Sequence, residues 1–314
     1  MRWPHLDYAA EHEIYESVHA YLQVIGKLPV RTHPWVNHGW HVAMRVVPRG
    51  FRTYVLPAGE VDYELLFDCR NSEIRLIGSE GRESGFALEG QTVARFRAQL
   101  ADALTAIGCG APLSGGPNEV DPAVPFAEDE RPRPWDAKVV RRLHAAFLSA
   151  DRVFAAFRSG YVGKSSPSHL FWGSFDLAVT RFSGRAAPEH PGGFPNLPDR
   201  VTREAYSHEV VSAGFWPGGG AVEEAAFYAY TYPAAPAFSE GKVQPNAAYW
   251  LGDLGEFVLP YAAVRDAVDP DAALMSFLSS TYDAGARALD FPAGLEGRPG
   301  PVGRPPEPSK RISS

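Results

Sequence analysis

The sequence predicts an α+β protein with two antiparallel sheets flanked by helices. Alternating apolar residues recur in consecutive short runs, helical three- and four-residue spacings frame each group of runs, and a stretch rich in proline, glycine and acids divides the chain near its middle. A chain of 314 residues exceeds what one ordinary core holds, so two packed halves are expected. Hydrophobic residues make up 45%, enough to offset the ordering entropy of most of the chain.

The first half spans residues 1–110. Ile14, Val18, Tyr21, Leu22 and Ile25 share one helical face, and Gly26 is the expected stop. Strands are expected over 41–47, 51–56 and 61–68, the last placing Val61, Tyr63, Leu65 and Phe67 inward and Asp62, Glu64 and Asp68 outward. Shorter strands follow at 74–77 and around Phe86. Val93, Phe96, Leu100, Leu104 and Ile107 then mark a helix ended by Gly108 and Gly110.

Residues 111–134 read as a connector, with Pro112, Gly115, Gly116, Pro117, Pro122 and Pro125 and no periodicity. The second half, 135–290, opens on a helix whose stripe is Val140, Leu143, Phe147, Ala150, Phe154 and Phe157. A strand near Phe175, a helix over 202–211, strands at 227–232, 247–251 and 256–259, and a last helix capped by Asp269 follow. Proline and glycine dominate from Phe291, so 291–314 is expected to be a disordered tail. Gly26-Lys27 and Gly163-Lys164 each lead from a helix into strands and then a helix. That recurrence suggests an internal duplication, and the generic element order of α+β folds would produce it as well.

The net charge of -7 is spread along the chain and offers no grip on a phosphate backbone, which argues against nucleic acid as a partner. Two cysteines, Cys69 and Cys109, are too few for a disulfide framework or a thiolate zinc site and fit a reducing, cytoplasmic setting. No apolar run is long enough to suggest a membrane span.

Familiar catalytic motifs are missing. Gly163-Lys164-Ser165 imitates the end of a phosphate-binding loop, but Arg158 stands where its first glycine belongs. His12-Glu13 and His208-Glu209 lack the second histidine of a zincin helix. What remains is a set of polar residues among aromatics. His38, His41, His169, His208 and Glu204 could supply nitrogen and oxygen donors to a divalent metal such as zinc or iron, Glu204 and His208 lying one turn apart on the expected helix. A metal-free pocket built from the same residues is the alternative. Asp176 lies on an apolar strand, so it needs a buried partner, and His169, His208 and Arg181 are the candidates. His169, Asp176 and His208 are thus the candidate catalytic residues, and Arg181, Lys164, Trp172 and Trp216 the candidate substrate-binding ones. The expected function is a small-molecule enzyme, acid–base or metal-assisted, such as a hydrolase or oxidoreductase. The competing reading is a non-catalytic ligand-binding or protein-interaction module in which the histidines are structural.

The runs Asn37-His38-Gly39-Trp40-His41-Val42, Pro48-Arg49-Gly50, Gly163-Lys164-Ser165-Ser166-Pro167, His169 to Gly184, His190-Pro191-Gly192-Gly193 and Ser207 to Gly220 resemble domain-of-unknown-function family 5996, a set of mostly bacterial proteins. The resemblance extends from about Trp3 to Asp290. It implies one continuous family unit and carries over no activity, cofactor or catalytic residue.

Overall fold

The computed structural model describes residues 2–298 and 307–308. Helix α1 (Tyr8–Thr32) starts at Asp7, whose carboxylate accepts from the Ala10 N–H, and it buries Val18, Tyr21, Leu22, Ile25 and Leu28. It does not stop at Gly26. The helix runs on through Pro29 because the space beside Gly26 is filled by the Trp172 indole, which any Cβ there would overlap. Here glycine serves close approach rather than termination.

The strand expected from His41 is shorter. A 3-10 turn at Asn37–Val42, kinked by left-handed His38 (φ 60) and Gly39 (φ 69), replaces its first part. The first sheet contains β1 (Arg45–Val47), β2 (Gly50–Arg52), β3 (Leu56–Ala58), β4 (Val61–Asp68), β5 (Glu73–Gly78) and β6 (Glu83–Ala87). The single strand expected over 51–56 is therefore split. The order is β1-β2-β4-β5-β6, with β3 beside β4. Val61, Tyr63, Leu65 and Phe67 face inward as their spacing predicts. Asp68, expected on the wet side, is fully buried; Arg49 neutralises it and the Arg70 and Asn71 N–H groups donate to it. Helix α2 (Val93–Ala106) closes the half.

The 111–134 connector has neither helix nor strand, yet it is anchored. Leu113 and Phe126 are buried, and Gln23 of α1 exchanges two hydrogen bonds with the Asn118 backbone. Helix α3 (Ala137–Ser159) follows and buries the whole predicted stripe. The second sheet, also antiparallel, is built from β7 (His169–Phe171), β8 (Asp176–Ala186), β9 (His208–Trp216), β10 (Ala226–Tyr232), β11 (Tyr249–Leu251) and β12 (Glu256–Pro260), in the order β11-β12-β10-β9-β8-β7. Helix α4 (Asp199–Ala205) is shorter than expected, and His208 opens β9 instead of continuing the helix. Helices α5 (Tyr261–Arg265) and α6 (Pro270–Ala288) end the half, with Asp269 capping α6 as predicted.

Both halves run from a long helix through consecutive antiparallel strands to a closing helix. They differ in the side branch β3 and in β11 lying outside β12. The residue before β1 meets β7: Met44 and Leu170 exchange both backbone hydrogen bonds at 2.9 Å each. Phe147 of α3 packs edge-on against Phe51 of one sheet and Phe215 of the other, so one core serves both. Of the expected tail, residues 299–306 and 309–314 lie outside the described residues. Its first part packs, with Phe291 against Tyr282 and the Leu295 carbonyl accepting from the Val162 N–H. No helix among the described residues is long and apolar enough to cross a membrane.

In an open helix, Gly26→Ala would stabilise by about 1 kcal/mol. Here the indole reverses the sign, and overpacking should cost about 1–3 kcal/mol. Thermal unfolding should show a lower Tm for this variant, and an equal or higher Tm would contradict the placement of Trp172.

Candidate functional site

Alternation along the second sheet sorts its residues into two faces. Leu177, Val179 and Arg181 of β8 and Val211, Ala213 and Phe215 of β9 face the helices, where Phe147 and Phe157 of α3 meet them. Asp176, Thr180, Phe182, Ser212, Tyr228 and Tyr230 lie on the other face. The candidate site is a polar band on that second face.

One end of the band is assembled from both halves. Residues 164–166 run beside β8: the Phe182 N–H donates to the Lys164 carbonyl at 3.0 Å and the Ser166 N–H to the Thr180 carbonyl at 2.8 Å. This register sets Lys164 next to Phe182 on the same face. The kinked turn of the first half then lays His38 on Phe182, with ring centroids 4.7 Å apart. Two bonds to the end of α4 hold His38: its N–H donates to Glu204 Oε1 at 2.9 Å, and its Nδ1 lies 3.1 Å from the Ala205 carbonyl. A carbonyl can only accept, so Nδ1 carries a proton and Nε2 is left to interact with Lys164 Nζ, 2.6 Å away.

The Lys164 amine sits over the rings of Phe182 (4.7 Å) and Trp40 (5.4 Å) and has no carboxylate at ion-pair distance among the described residues. Desolvation lowers the pKa of Lys164, opposed by the charge of Glu204. Burial, and then the Lys164 charge, lowers that of His38. The His208 ring stands edge-on to His38 at 5.6 Å, and Glu204 Oε2 is buried with no hydrogen-bond partner among the described residues. Lys164, Glu204 and His208 thus all gather around His38. Beyond Trp40 lies His169, fully buried, with Nε2 3.2 Å from the Tyr54 hydroxyl and Nδ1 unpaired among the described residues. Burial and the nearby Arg158 lower its pKa to about 4, so it is neutral at pH 7.

The other end of the band carries Asp176. Its carboxylate accepts from the Tyr228 and Ser174 hydroxyls. Gly214 leaves room for the Tyr228 ring, which stacks on Tyr230, and Tyr230 is hydrogen-bonded to Tyr206 at 2.8 Å. Burial raises the pKa of Asp176. Burial and then the Asp176 charge push Glu119 and Glu256 up to about 7.

The expected grouping of Asp176, His169 and His208 is not formed. His169 pairs with Ala178 and turns to Tyr54, whereas His208 pairs with Ala186 at the far end of β8, about 30 Å along the strand from Asp176. Arg181 points to the helix face, where its guanidinium lies 3.5 Å from the Phe157 ring centroid and 4.4 Å from that of Tyr282; burial lowers its pKa to about 10. The offset of five positions from Asp176 is odd, which places the two on opposite faces. Trp172 is a core residue that donates to the Val42 carbonyl. Trp216 packs on Val222, Ala226 and Val258.

Of the expected metal ligands, His38 is engaged at both ring nitrogens, His41 accepts from the Val36 N–H, and Glu204 and His208 fall on different elements. Among the described residues no group of three or more His, Cys, Asp or Glu side chains is arranged to hold a metal ion. The donor set does not fit zinc or iron. No catalytic motif in the sequence marks Trp40, Phe182, Tyr54, Tyr206, Tyr228, Tyr230, Glu119 or Glu256. The period-two spacing of Tyr228, Tyr230 and Tyr232 was the signal that could have placed phenols on one face.

A carboxyl whose folded pKa exceeds its unfolded one binds more protons when folded, so its contribution to stability falls as pH rises from its unfolded pKa towards the folded value. Glu119 and Glu256 should therefore lower Tm between pH 5 and pH 8. Glu119→Gln and Glu256→Gln should each recover part of that loss at pH 8 and change little at pH 5. Equal effects at both pH values would contradict the raised pKa values.

No curated protein and no solved structure matches the chain. A family model, described as a family of unknown function (DUF5996), matches residues 3–296, in agreement with the resemblance read from the sequence. The chain therefore belongs to the DUF5996 family, and the band on its second sheet lies within the matched region.

Proposed function

We propose that the protein is an acid–base enzyme acting on a small polar molecule at the cluster of His38, Lys164, Glu204 and His208. The observation that carries this reading is the 2.6 Å contact between Lys164 Nζ and His38 Nε2. With Nδ1–H fixed on the Ala205 carbonyl, the pair accommodates one excess proton in two ways, as ammonium and neutral imidazole or as amine and imidazolium, and both keep both hydrogen bonds. Such a pair gives up or takes a proton without breaking its framework, as general acid–base catalysis needs. Glu204 Oε2, buried and unpartnered among the described residues, is an acceptor ready for a substrate hydroxyl or amine. Trp40 and Phe182 supply an apolar wall.

Relative to the expectation from sequence, the substrate-orienting cation passes from Arg181 to Lys164, and the acid–base group from Asp176 and His169 to His38. His208 and Glu204 keep a place at the site. A left-handed histidine is a backbone strain of the kind that clusters at functional positions.

The test is a screen of the purified protein against small esters, amides, carbonyl compounds and hydroxy acids, with Lys164→Met and Glu204→Gln run beside the wild type. Each variant should lower kcat/KM for the substrate found by about 10²-fold or more while leaving Tm close to that of the wild type. Activity untouched by both variants would place the chemistry elsewhere. Ligand binding without turnover would favour the binding-module reading.

A further inference from the structure

We propose that Lys164 is a nucleophile that forms an imine with a small aldehyde or ketone. The inference rests on the acid–base cluster described above and names its substrate class.

Three features of the geometry lead to it. First, a lysine placed to bind an anion or brace the fold generally has a carboxylate or a set of carbonyls around its ammonium. Lys164 Nζ instead meets two aromatic faces and an imidazole nitrogen, and no carboxylate approaches to ion-pair distance among the described residues. Apolar surroundings favour the neutral amine, the form that attacks carbonyl carbon. Second, His38 Nε2 is held as the acceptor of one Lys164 proton by the bond that Nδ1 makes to Ala205. When the ammonium gives its proton to His38, the amine lone pair is released for attack by a small rotation about the side chain. Third, Lys164 is itself exposed, so the amine is reachable from solvent although it lies over the rings of Trp40 and Phe182.

The step balances without any other reagent. The ammonium passes one proton to His38 Nε2, and the freed lone pair forms a C–N bond to the carbonyl carbon, whose π electrons move to oxygen. The proton that the attacking nitrogen then sheds passes to the oxygen, giving a neutral carbinolamine. The His38 imidazolium returns its proton to that oxygen, which leaves as water while the recovered nitrogen lone pair forms C=N, giving a protonated imine and a neutral His38. One carbonyl is consumed and one water released, with no change in net charge. The unpaired Glu204 Oε2, whose charge acts on both His38 and Lys164, is the acceptor for the carbinolamine hydroxyl.

The experiment needs no knowledge of the natural substrate. The chain carries lysine at positions 27, 138, 164, 242 and 310, and Lys138 and Lys242 are exposed references on the same protein. Full-length protein is treated with propionaldehyde, or separately with pyruvate, in the presence of cyanoborohydride, which delivers hydride to the imine carbon and fixes the adduct as a secondary amine. Peptide mass mapping then gives the rate at each lysine. Lys164 should be alkylated at least about tenfold faster than Lys138 and Lys242 at neutral pH, with a pH profile displaced to lower pH than theirs. His38→Asn, which removes the proton acceptor at Nε2, should cancel most of that advantage while circular dichroism shows the fold retained. Reactivity at Lys164 equal to or below that of the two references would overturn the imine proposal. That result would leave the acid–base reading standing or falling on the turnover of the Lys164→Met and Glu204→Gln variants.

Discussion

The arrangement depends on the pair of backbone hydrogen bonds between Met44 and Leu170. Each is an ordinary amide–carbonyl bond with a net worth of about 1 kcal/mol, but their position gives them consequence. They dock the approach to the first strand of one half on the first strand of the other and so fix where the Asn37–Val42 turn falls. That turn carries His38 and Trp40 onto the face of a sheet to which the first half contributes no strand. Removing the joint would leave Lys164, Glu204 and His208 on the second half without the imidazole that connects them.

The two ends of the polar band hold their charge in different ways. At Lys164, an exposed residue, the charge is a single cation that meets two aromatic rings and one imidazole nitrogen. At Asp176 three carboxyl groups gather with hydroxyl donors for only one of them, and protonation near neutral pH relieves the repulsion. Arg181, on the opposite face of the same strand, is a third case: its guanidinium is caged by Phe157, Tyr161 and Tyr282. A reading of residue types alone would pair Arg181 with Asp176, and the pleat forbids it.

The parts of the fold legible in the sequence are those determined within one element. The β4 alternation and the α3 stripe appear where their spacing puts them, because each buries one continuous face. Gly26 misled because its meaning comes from Trp172, far away in sequence; nothing local distinguishes a helix-ending glycine from one that admits an indole. The break after Ala205 misled likewise, since the residues from His208 are claimed by pairing with β8 and β10. For the site, the residue types single out His38, Glu204 and His208 as ligands of one metal and Lys164 as a separate substrate-binding group. Their union depends on a positive-φ turn and a cross-half register that no periodicity encodes.

The central claim is that His38 is held between the Ala205 carbonyl and the Lys164 amine, so that one proton serves a two-member relay built from both halves. Nitrogen-15 NMR of the imidazole rings at neutral pH reads that state directly, because the two ring nitrogens differ sharply in shift between tautomers. The account predicts a neutral His38 protonated at Nδ1, with Nε2 as an unprotonated acceptor whose shift changes in the Lys164→Met variant. A His38 protonated at Nε2, or one indifferent to the loss of the lysine, would contradict it.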